Sequence, residues 1–271
     1  MNTITSPADY PDPKAPASET ARQPAKYAFA LILAGCAGMY LILHLGLTWL
    51  YGKVDETWAR ISVTVLMLIV AVICQRWLFK VRTGKAIRML GYGSVHLRAL
   101  LVAAIISAVM LIFFPIFTVV TGAPVSLIND WLWLLLGIVV VQGFAEETLF
   151  RGFVFGGLRK LGFSFRRAGF VSMAIFAVVH LVLFTQLSFI VGVLGTLLAV
   201  VIAFPMAYLF ERSSNTIWAP VLLHATTSVI RLVDIPEDSY MIAVSVWFGI
   251  QLTAPFLVYL FLGSLLKASD E

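Results

Sequence analysis

The chain has 271 residues, of which 61% are hydrophobic and only 12% are charged, with a formal net charge of +5. A soluble domain carries about 25% charged residues, and the mean hydropathy here is +0.96, so a soluble protein is excluded. The apolar residues form long blocks rather than the alternating segments of a membrane β-barrel. We therefore predict an all-α, polytopic membrane protein.

The first 26 residues differ from the rest of the chain. They are polar and rich in proline, and they contain no apolar stretch of the kind that forms a secretory signal. This composition is typical of a disordered segment. We predict a disordered cytoplasmic tail over residues 1–26 and a single membrane domain over residues 27–266.

Eight apolar runs follow the tail, most of them close to the ~20 residues that a helix needs to cross a bilayer. The fifth and sixth are the hardest to separate, because only Thr185 and Gln186 mark a turn within the apolar stretch 168–210. The predicted spans are 27–51, 58–79, 98–120, 131–157, 168–186, 188–210, 216–233 and 240–265.

The basic residues give an independent test of these spans. If the N-terminus lies inside, fourteen Lys and Arg residues fall on the cytoplasmic side and three on the other. Such an excess marks the cytoplasmic side, so we predict that both termini are cytoplasmic. We predict a bacterial inner membrane as the location. The net charge of +5 then reflects the cytoplasmic loops and not binding of nucleic acid. The basic, partly amphipathic loop 80–98 either lies on the inner surface near anionic lipid or is a solvated topology signal.

The fourth span contains two adjacent carboxylates in the stretch VQGFAEETLFRG, residues 141–152. Ionisable residues inside membrane spans are rare and usually functional. Glu147 and Arg151 are four residues apart, so they share a helix face and can form an ion pair. Glu146 is rotated from Glu147 by about 100°. An unpaired carboxylate in an apolar pocket is a plausible general base.

Two histidines on other spans lie at a depth similar to that of Glu146. Measured from the nearest basic residues on the cytoplasmic side, Glu146, His180 and His224 are each roughly 18–20 Å along their helices. This agreement predicts one shared buried site. The two imidazoles could bind a divalent metal such as zinc together with Glu146, or orient a water molecule. His44, nearer the opposite face, is predicted to be a structural or an interfacial residue.

Three short motifs at these positions resemble those of the CPBP family, also called the Abi family, of CAAX proteases and bacteriocin-processing enzymes. EETLFR at 146–151 matches the family's EExxxR motif, FAVVH at 176–180 matches its FxxxH motif, and HATTS at 224–228 matches the start of its HxxxN/D motif. The motifs occur in the family's order on three predicted spans. The resemblance covers about residues 128–232, which we take as the catalytic core.

The resemblance implies an intramembrane endopeptidase with a catalytic cavity open toward the cytoplasm. By this resemblance, Glu146 activates the attacking water, His180 helps to hold that water or a metal, and His224 stabilises the oxyanion or orients the substrate. Glu147 and Arg151 brace the site. The family does not by itself decide between zinc and a glutamate mechanism.

One position departs from the family. Ser228 stands where the family usually has Asn or Asp, and a serine can donate one hydrogen bond but lacks the reach of an amide.

The expected substrate is a membrane-associated peptide, prenylated with a CAAX-type terminus or a leader peptide. Two other functions stay open at this point. The first is a catalytically silent membrane scaffold or immunity protein, which the Ser228 departure keeps open. The second is a proton-coupled transporter, since buried carboxylates and histidines also serve as proton relays.

Overall fold

A computed structural model describes residues 25–186 and 188–267, so the predicted tail over residues 1–26 lies, except for its last two residues, outside the described residues. The described chain is almost entirely helical, as predicted. Its elements are α1 Ala25–Leu50, α2 Glu56–Phe79, α3 Thr83–Met89, α4 Leu97–Leu111, α5 Phe113–Thr121, β1 Ser126–Leu127, α6 Trp131–Ile138, α7 Gly156–Lys160, α8 Phe165–His180, α9 Leu183–Gln186, α10 Phe189–Arg212, α11 Trp218–Thr227, β2 Val233–Asp234, α12 Glu237–Thr253 and α13 Leu257–Lys267.

The helices α6 and α7 are the two ends of one continuous helical segment, Trp131–Lys160, which we call the motif helix. Between them the backbone is π-helical at Val139–Ala145 and again at Thr148–Phe155. Short 3₁₀ turns at Val229–Leu232 and Ala254–Phe256 follow α11 and α12.

Among the described residues, six helical segments are long and apolar enough to cross a membrane. The predicted count of eight full spans is therefore not confirmed. The predicted spans 168–186 and 216–233 correspond to α8, with 16 residues, and α11, with 10 residues. At 1.5 Å per residue these helices are about 24 and 15 Å long, which is short of a hydrocarbon core of about 30 Å.

The reason for the difference is where these helices end. The apolar sequence continues past His180, but α8 stops there, and the four-residue α9 lies where Thr185 and Gln186 were expected to form the turn. Likewise, α11 stops at Thr227, before the apolar run ends. Hydropathy reports composition along the chain and does not locate the end of a helix inside an apolar run.

Contacts between the ends of the helices show which of them lie on the same side. The strands β1 and β2 pair antiparallel, which joins the loop after α5 to the segment after α11. At another set of ends, the Arg159 guanidinium donates from Nε and Nη2 to the two carboxylate oxygens of Glu211, at 2.9 and 3.0 Å. Lys160 Nζ donates to the carbonyl of Met89 at 3.3 Å. The C-terminal ends of the motif helix, of α10 and of α3 therefore lie on the same side, in agreement with the distribution of charged loops. That this side is cytoplasmic stays a prediction.

The motif helix packs closely because glycines face its neighbours. A Cβ added at Gly152 would lie 2.2 Å from the carbonyl oxygen of Leu90, and one at Gly143 would lie 2.9 Å from Val221 Cγ1. The backbone of the motif helix thus touches the segment after α3 on one side and α11 on another. The contact at Gly143 fixes the position of the motif helix along its axis relative to α11, which carries His224.

Candidate active site

The two glutamates lie where the motif helix changes its winding. One π-helical stretch ends at Ala145 and the next begins at Thr148, so Glu146 and Glu147 occupy the junction. Insertions of π-helix are rare and are frequent at functional sites, because they redirect side chains relative to a regular α-helix. The two carboxylates differ in exposure: Glu147 is fully buried, whereas 23% of the Glu146 side chain is exposed.

Glu147 is the centre of a buried ion-pair network. Its Oε1 accepts a hydrogen bond from Arg151 Nη1 at 3.0 Å, which confirms the predicted pair. The same oxygen also contacts His224 Nδ1 at 2.5 Å, and His224 is only 7% exposed. The sequence predicted the partnership with Arg151 and did not predict the one with His224. Two donors on one carboxylate provide the compensation that a buried charge requires.

This contact fixes the orientation of the His224 ring. An ionised carboxylate only accepts hydrogen bonds, so Nδ1 carries the proton that it shares with Glu147. The other ring nitrogen, Nε2, is then directed toward Glu146, whose Oε2 lies 3.9 Å away. That distance is too long for a direct hydrogen bond and is suited to two groups that face a common small molecule, such as water.

His180 is held by the first residue of its own motif. Its Nδ1 donates to the backbone carbonyl of Phe176 at 2.8 Å, and its ring lies edge-on to the Phe176 ring with centroids 4.4 Å apart. Because a carbonyl only accepts, this bond leaves Nε2 of His180 as an acceptor. The Phe176 ring also contacts Phe150 at 4.4 Å and the Arg151 guanidinium at 5.1 Å. Phe176 thus connects His180 to the Glu147–Arg151 pair.

The helix register places His180 near the level of Glu146. The motif helix and α8 run antiparallel, since Phe155 contacts Phe165 near their connection and Phe150 contacts Phe176 further along. Glu146 lies one turn before Phe150, and His180 lies one turn after Phe176, so both are displaced in the same direction. Within the described residues, no hydrogen bond or ion pair joins His180 to Glu146 or His224.

A tyrosine of α1 that none of the sequence motifs indicated also belongs to this region. Tyr40 Oη donates to the carbonyl of Val179, the residue before His180, at 2.9 Å. Tyr40 also lies close enough to Glu146 for the two groups to interact electrostatically. Its ring is parallel to that of His44, with centroids 5.9 Å apart. His44, which was predicted to be structural or interfacial, contacts Tyr40 and not the predicted site residues themselves. Tyr40 could have been noticed in the sequence because it is a polar ring within an apolar span.

Tyr92, in the segment before α4, supports the motif helix next to Glu147. Its hydroxyl hydrogen-bonds to the Thr148 hydroxyl at 2.8 Å, and its ring packs against Phe144 and Trp218. Burial raises the pKa of Tyr92 to about 12, so the phenol stays neutral at physiological pH. Tyr92 therefore provides a neutral hydrogen bond beside the charged network.

Ser228 is the C-cap of α11 rather than a residue within it. The end of this helix is fixed from α12, where Trp247 Nε1 and Gln251 Nε2 both donate to the carbonyl of Thr227, at 3.0 and 2.9 Å. The Thr227 hydroxyl in turn donates to the carbonyl of His224 at 2.7 Å. No sequence pattern indicated this pair of donors, which holds the segment that carries His224 and Ser228.

The geometry does not provide a metal-ligand set. Within the described parts of the chain, no three His, Cys, Asp or Glu side chains are grouped so that they could hold a metal ion. Glu146 and His224 approach each other, but no hydrogen bond or ion pair among the described residues joins His180 to either of them. The hypothesis that Glu146, His180 and His224 bind zinc stays a prediction, and the residues present do not fit it in this arrangement.

Comparison with known proteins agrees with the motifs. Residues 128–230 match the family model described as type II CAAX prenyl endopeptidase Rce1-like. The matched region begins just before the motif helix and ends just after Ser228, so it contains every predicted site residue, whereas Tyr40 and Tyr92 lie outside it. No curated protein and no solved structure gave a significant match to the chain.

Proposed function

Because residues 128–230 match the type II CAAX prenyl endopeptidase Rce1-like family model and the chain is a multi-pass membrane protein, we propose that the protein is an intramembrane endopeptidase in which Glu146 activates water. The observation that carries this mechanism is the pairing of one partly exposed carboxylate, Glu146, with the free Nε2 of a histidine whose Nδ1 is held by the buried Glu147.

The first step is the activation of water. Glu146 accepts a proton from a water molecule that lies between its carboxylate and the histidines. His180 accepts the second hydrogen of this water at Nε2, because its Nδ1 proton is bound to the Phe176 carbonyl. The water oxygen forms a bond to the carbonyl carbon of the scissile peptide. A positioned general base of this kind typically contributes about 10²–10⁴-fold to the rate.

The second step is stabilisation of the tetrahedral intermediate. His224, whose Nδ1 is held by Glu147, donates from Nε2 to the oxyanion in its doubly protonated form. This is the role of a carboxylate that orients and stabilises a catalytic histidine. The C–N bond then breaks as the proton held by Glu146 passes to the leaving amine. Arg151 stays hydrogen-bonded to Glu147 throughout the cycle.

The proposed substrates are membrane-associated peptides, of the prenylated CAAX type or leader type, cleaved within a cavity among the site helices. The proposed location is a bacterial inner membrane with both termini in the cytoplasm, supported by the concentration of Lys and Arg on one side. Neither proposal depends on the substitution at Ser228, whose hydroxyl can provide at most one hydrogen bond.

The test is cleavage of prenylated and leader-type membrane peptides by the protein purified in detergent. We expect Glu146→Gln and His180→Ala to reduce the cleavage rate by at least about 10²-fold while the protein stays folded. Glu237→Gln is a matched control, because Glu237 is an exposed glutamate at the start of α12, and we expect full activity. Equal cleavage by wild type and Glu146→Gln would reject the catalytic assignment.

A separate experiment decides between glutamate and zinc. The wild-type protein is dialysed against a strong chelator, assayed, and assayed again after zinc is added. We expect no change in cleavage at either stage. Loss of cleavage that zinc restores would replace the glutamate mechanism with a metal mechanism.

A further inference from the structure

A second site lies at the end of α2, away from the glutamates. A cavity of about 330 Å³ is lined there by Ile73, Arg76, Trp77, Lys80 and Val81. We propose that this cavity binds the headgroup of an anionic phospholipid, with the phosphate between Arg76 and Lys80. The volume falls at the lower end of the range of small-molecule sites, roughly 300–1,000 Å³.

The carboxylates of the described residues do not compensate the charge of this region. The sequence from residue 57 to residue 129 contains no Asp or Glu, yet it carries seven Lys and Arg residues. Within the described chain, the ion pairs of Lys and Arg with carboxylates involve Arg60, Arg151 and Arg159, and none involves Arg76 or Lys80. Both side chains are exposed. Two adjacent cations at a membrane boundary therefore have no paired carboxylate in the part of the chain that the structure describes, and a lipid phosphate provides an anion.

The apolar part of the cavity matches the rest of a lipid. Ile73 and Trp77 lie on the last turns of a candidate span that ends at Phe79, and the Trp77 side chain is 84% exposed. Tryptophan is enriched where hydrocarbon meets headgroups. A glycerophospholipid that places its phosphate at Arg76 and Lys80 would extend its acyl chains along Ile73 and Trp77 toward the bilayer centre.

The backbone contributes to the shape of the cavity. Lys80 is the C-cap of α2 and has the left-handed conformation, with φ of 50°, while its N–H bonds to the carbonyl of Arg76. This conformation is unusual for a residue other than glycine, and it turns the chain directly into the next helix. Because α2 ends in this way, Lys80 and Val81 line the cavity beside the last turn of α2.

The adjacent helix α3 extends the basic surface. It buries Ala86 against the protein and leaves Lys85 and Arg88 exposed. This arrangement is that of a short amphipathic helix at a membrane surface. The amphipathic loop predicted over residues 80–98 therefore contains α3, whose charged side chains Lys85 and Arg88 lie on its solvent-exposed face beside the cavity. The proposal does not rest on the protease activity, since none of these residues contacts Glu146, His180 or His224.

The experiment measures binding of phosphatidylglycerol and of phosphatidylcholine to the purified full chain by native mass spectrometry. We expect phosphatidylglycerol to bind preferentially, and the double variant Arg76→Gln, Lys80→Gln to lose affinity by roughly tenfold or more. The single variant Arg76→Gln is used if the double variant does not purify as a folded monodisperse protein, and we expect a smaller loss of the same sign.

The matched control is the double variant Arg166→Gln, Arg167→Gln, which removes the same charge from another exposed pair. We expect it to bind phosphatidylglycerol like the wild type. An equal loss in both double variants would show a general surface charge effect and overturn the proposal. The proposal would also be overturned if millimolar inorganic phosphate displaced bound phosphatidylglycerol as well as added lipid does, because the site would then bind phosphate and not a phospholipid. Equal binding of the two lipids would do the same.

Discussion

At the scale of single residues, the two adjacent glutamates of the motif helix have opposite environments. Glu147 is buried and accepts from Arg151 and His224, while Glu146 is partly exposed and lies 3.9 Å from His224. In Glu147 one carboxylate oxygen, Oε1, already accepts from two buried donors, which stabilise its charge. This contrast supports the proposal that Glu146, rather than Glu147, accepts a proton from water.

This difference predicts separate effects on stability and activity. Glu147→Gln removes the charge that compensates buried Arg151 and His224, and breaking a buried pair in this way costs about 3–5 kcal/mol. Glu146→Gln is expected to change the free energy of unfolding by less than about 1 kcal/mol. Thermal unfolding of both variants in the same detergent measures the contrast. Equal melting temperatures would contradict the assignment of Glu147 as the structural carboxylate.

Tyr40 provides a second prediction at this scale. Tyr40→Phe removes one hydrogen bond, to the Val179 carbonyl, which is worth about 1 kcal/mol. We expect this variant to lower kcat by roughly tenfold with little change in KM, because the bond positions the end of α8 that carries His180. Tyr240→Phe, at an exposed position, is the control. An unchanged kcat for Tyr40→Phe would show that α1 does not position the site.

At the scale of elements, the motif helix combines irregular winding with close packing. Its π-helical stretches flank the two glutamates. Its glycines allow two neighbours to come close to its backbone: α11, and the residues that follow α3. In membranes, small residues at helix interfaces let backbones come close, and van der Waals packing then stabilises the contact. The position of Glu147 against His224 depends on this close approach.

Two glycine substitutions test this packing. Gly152→Ala would place a Cβ 2.2 Å from the Leu90 carbonyl oxygen, so the backbone must move, and overpacking of this kind costs about 1–3 kcal/mol. Gly249→Ala in α12 has nothing within 4 Å of the added carbon, and it is expected to be neutral or to stabilise by up to about 1 kcal/mol. Thermal unfolding should therefore show a lower melting temperature for Gly152→Ala only.

At the scale of the whole molecule, contacts between distant loops relate the two sides of the membrane domain. The β1–β2 pair joins one group of loops, and the Arg159–Glu211 pair joins another. Six segments are long enough to cross a bilayer, and α8 and α11 are shorter. Both short helices carry a histidine of the site near their C-terminal ends. Ending a helix inside the membrane domain exposes polar backbone groups, which is tolerated only where the helix end is buried in protein or lines a cavity.

The orientation is testable by labelling single cysteines in a variant that lacks Cys36 and Cys74. We expect Lys53→Cys to react with a membrane-impermeant reagent added outside intact cells. Arg166→Cys should react only after the membrane is permeabilised, because the basic loops are predicted to face the cytoplasm. Labelling of both positions from the same side would reject this topology.

Much of the site could be predicted from spacing. The Glu147–Arg151 pair follows from helix geometry, and the similar depth of Glu146, His180 and His224 follows from counting residues from the basic loops. The contact between Glu147 and His224 could not be predicted in this way, because it joins two helices whose relative rotation depends on packing at Gly143 and Val221.

The sequence by itself determined the class of the protein, its helical architecture and the family that its core resembles, because composition, hydropathy and three short motifs are local properties of the chain. Only the tertiary structure decided that α8 and α11 stop short of a full span, that Glu147 holds His224, and that Tyr40 joins the site. The physical reason is that helix ends within apolar runs, side-chain rotation and contacts between distant helices are set by close packing, which no local pattern records.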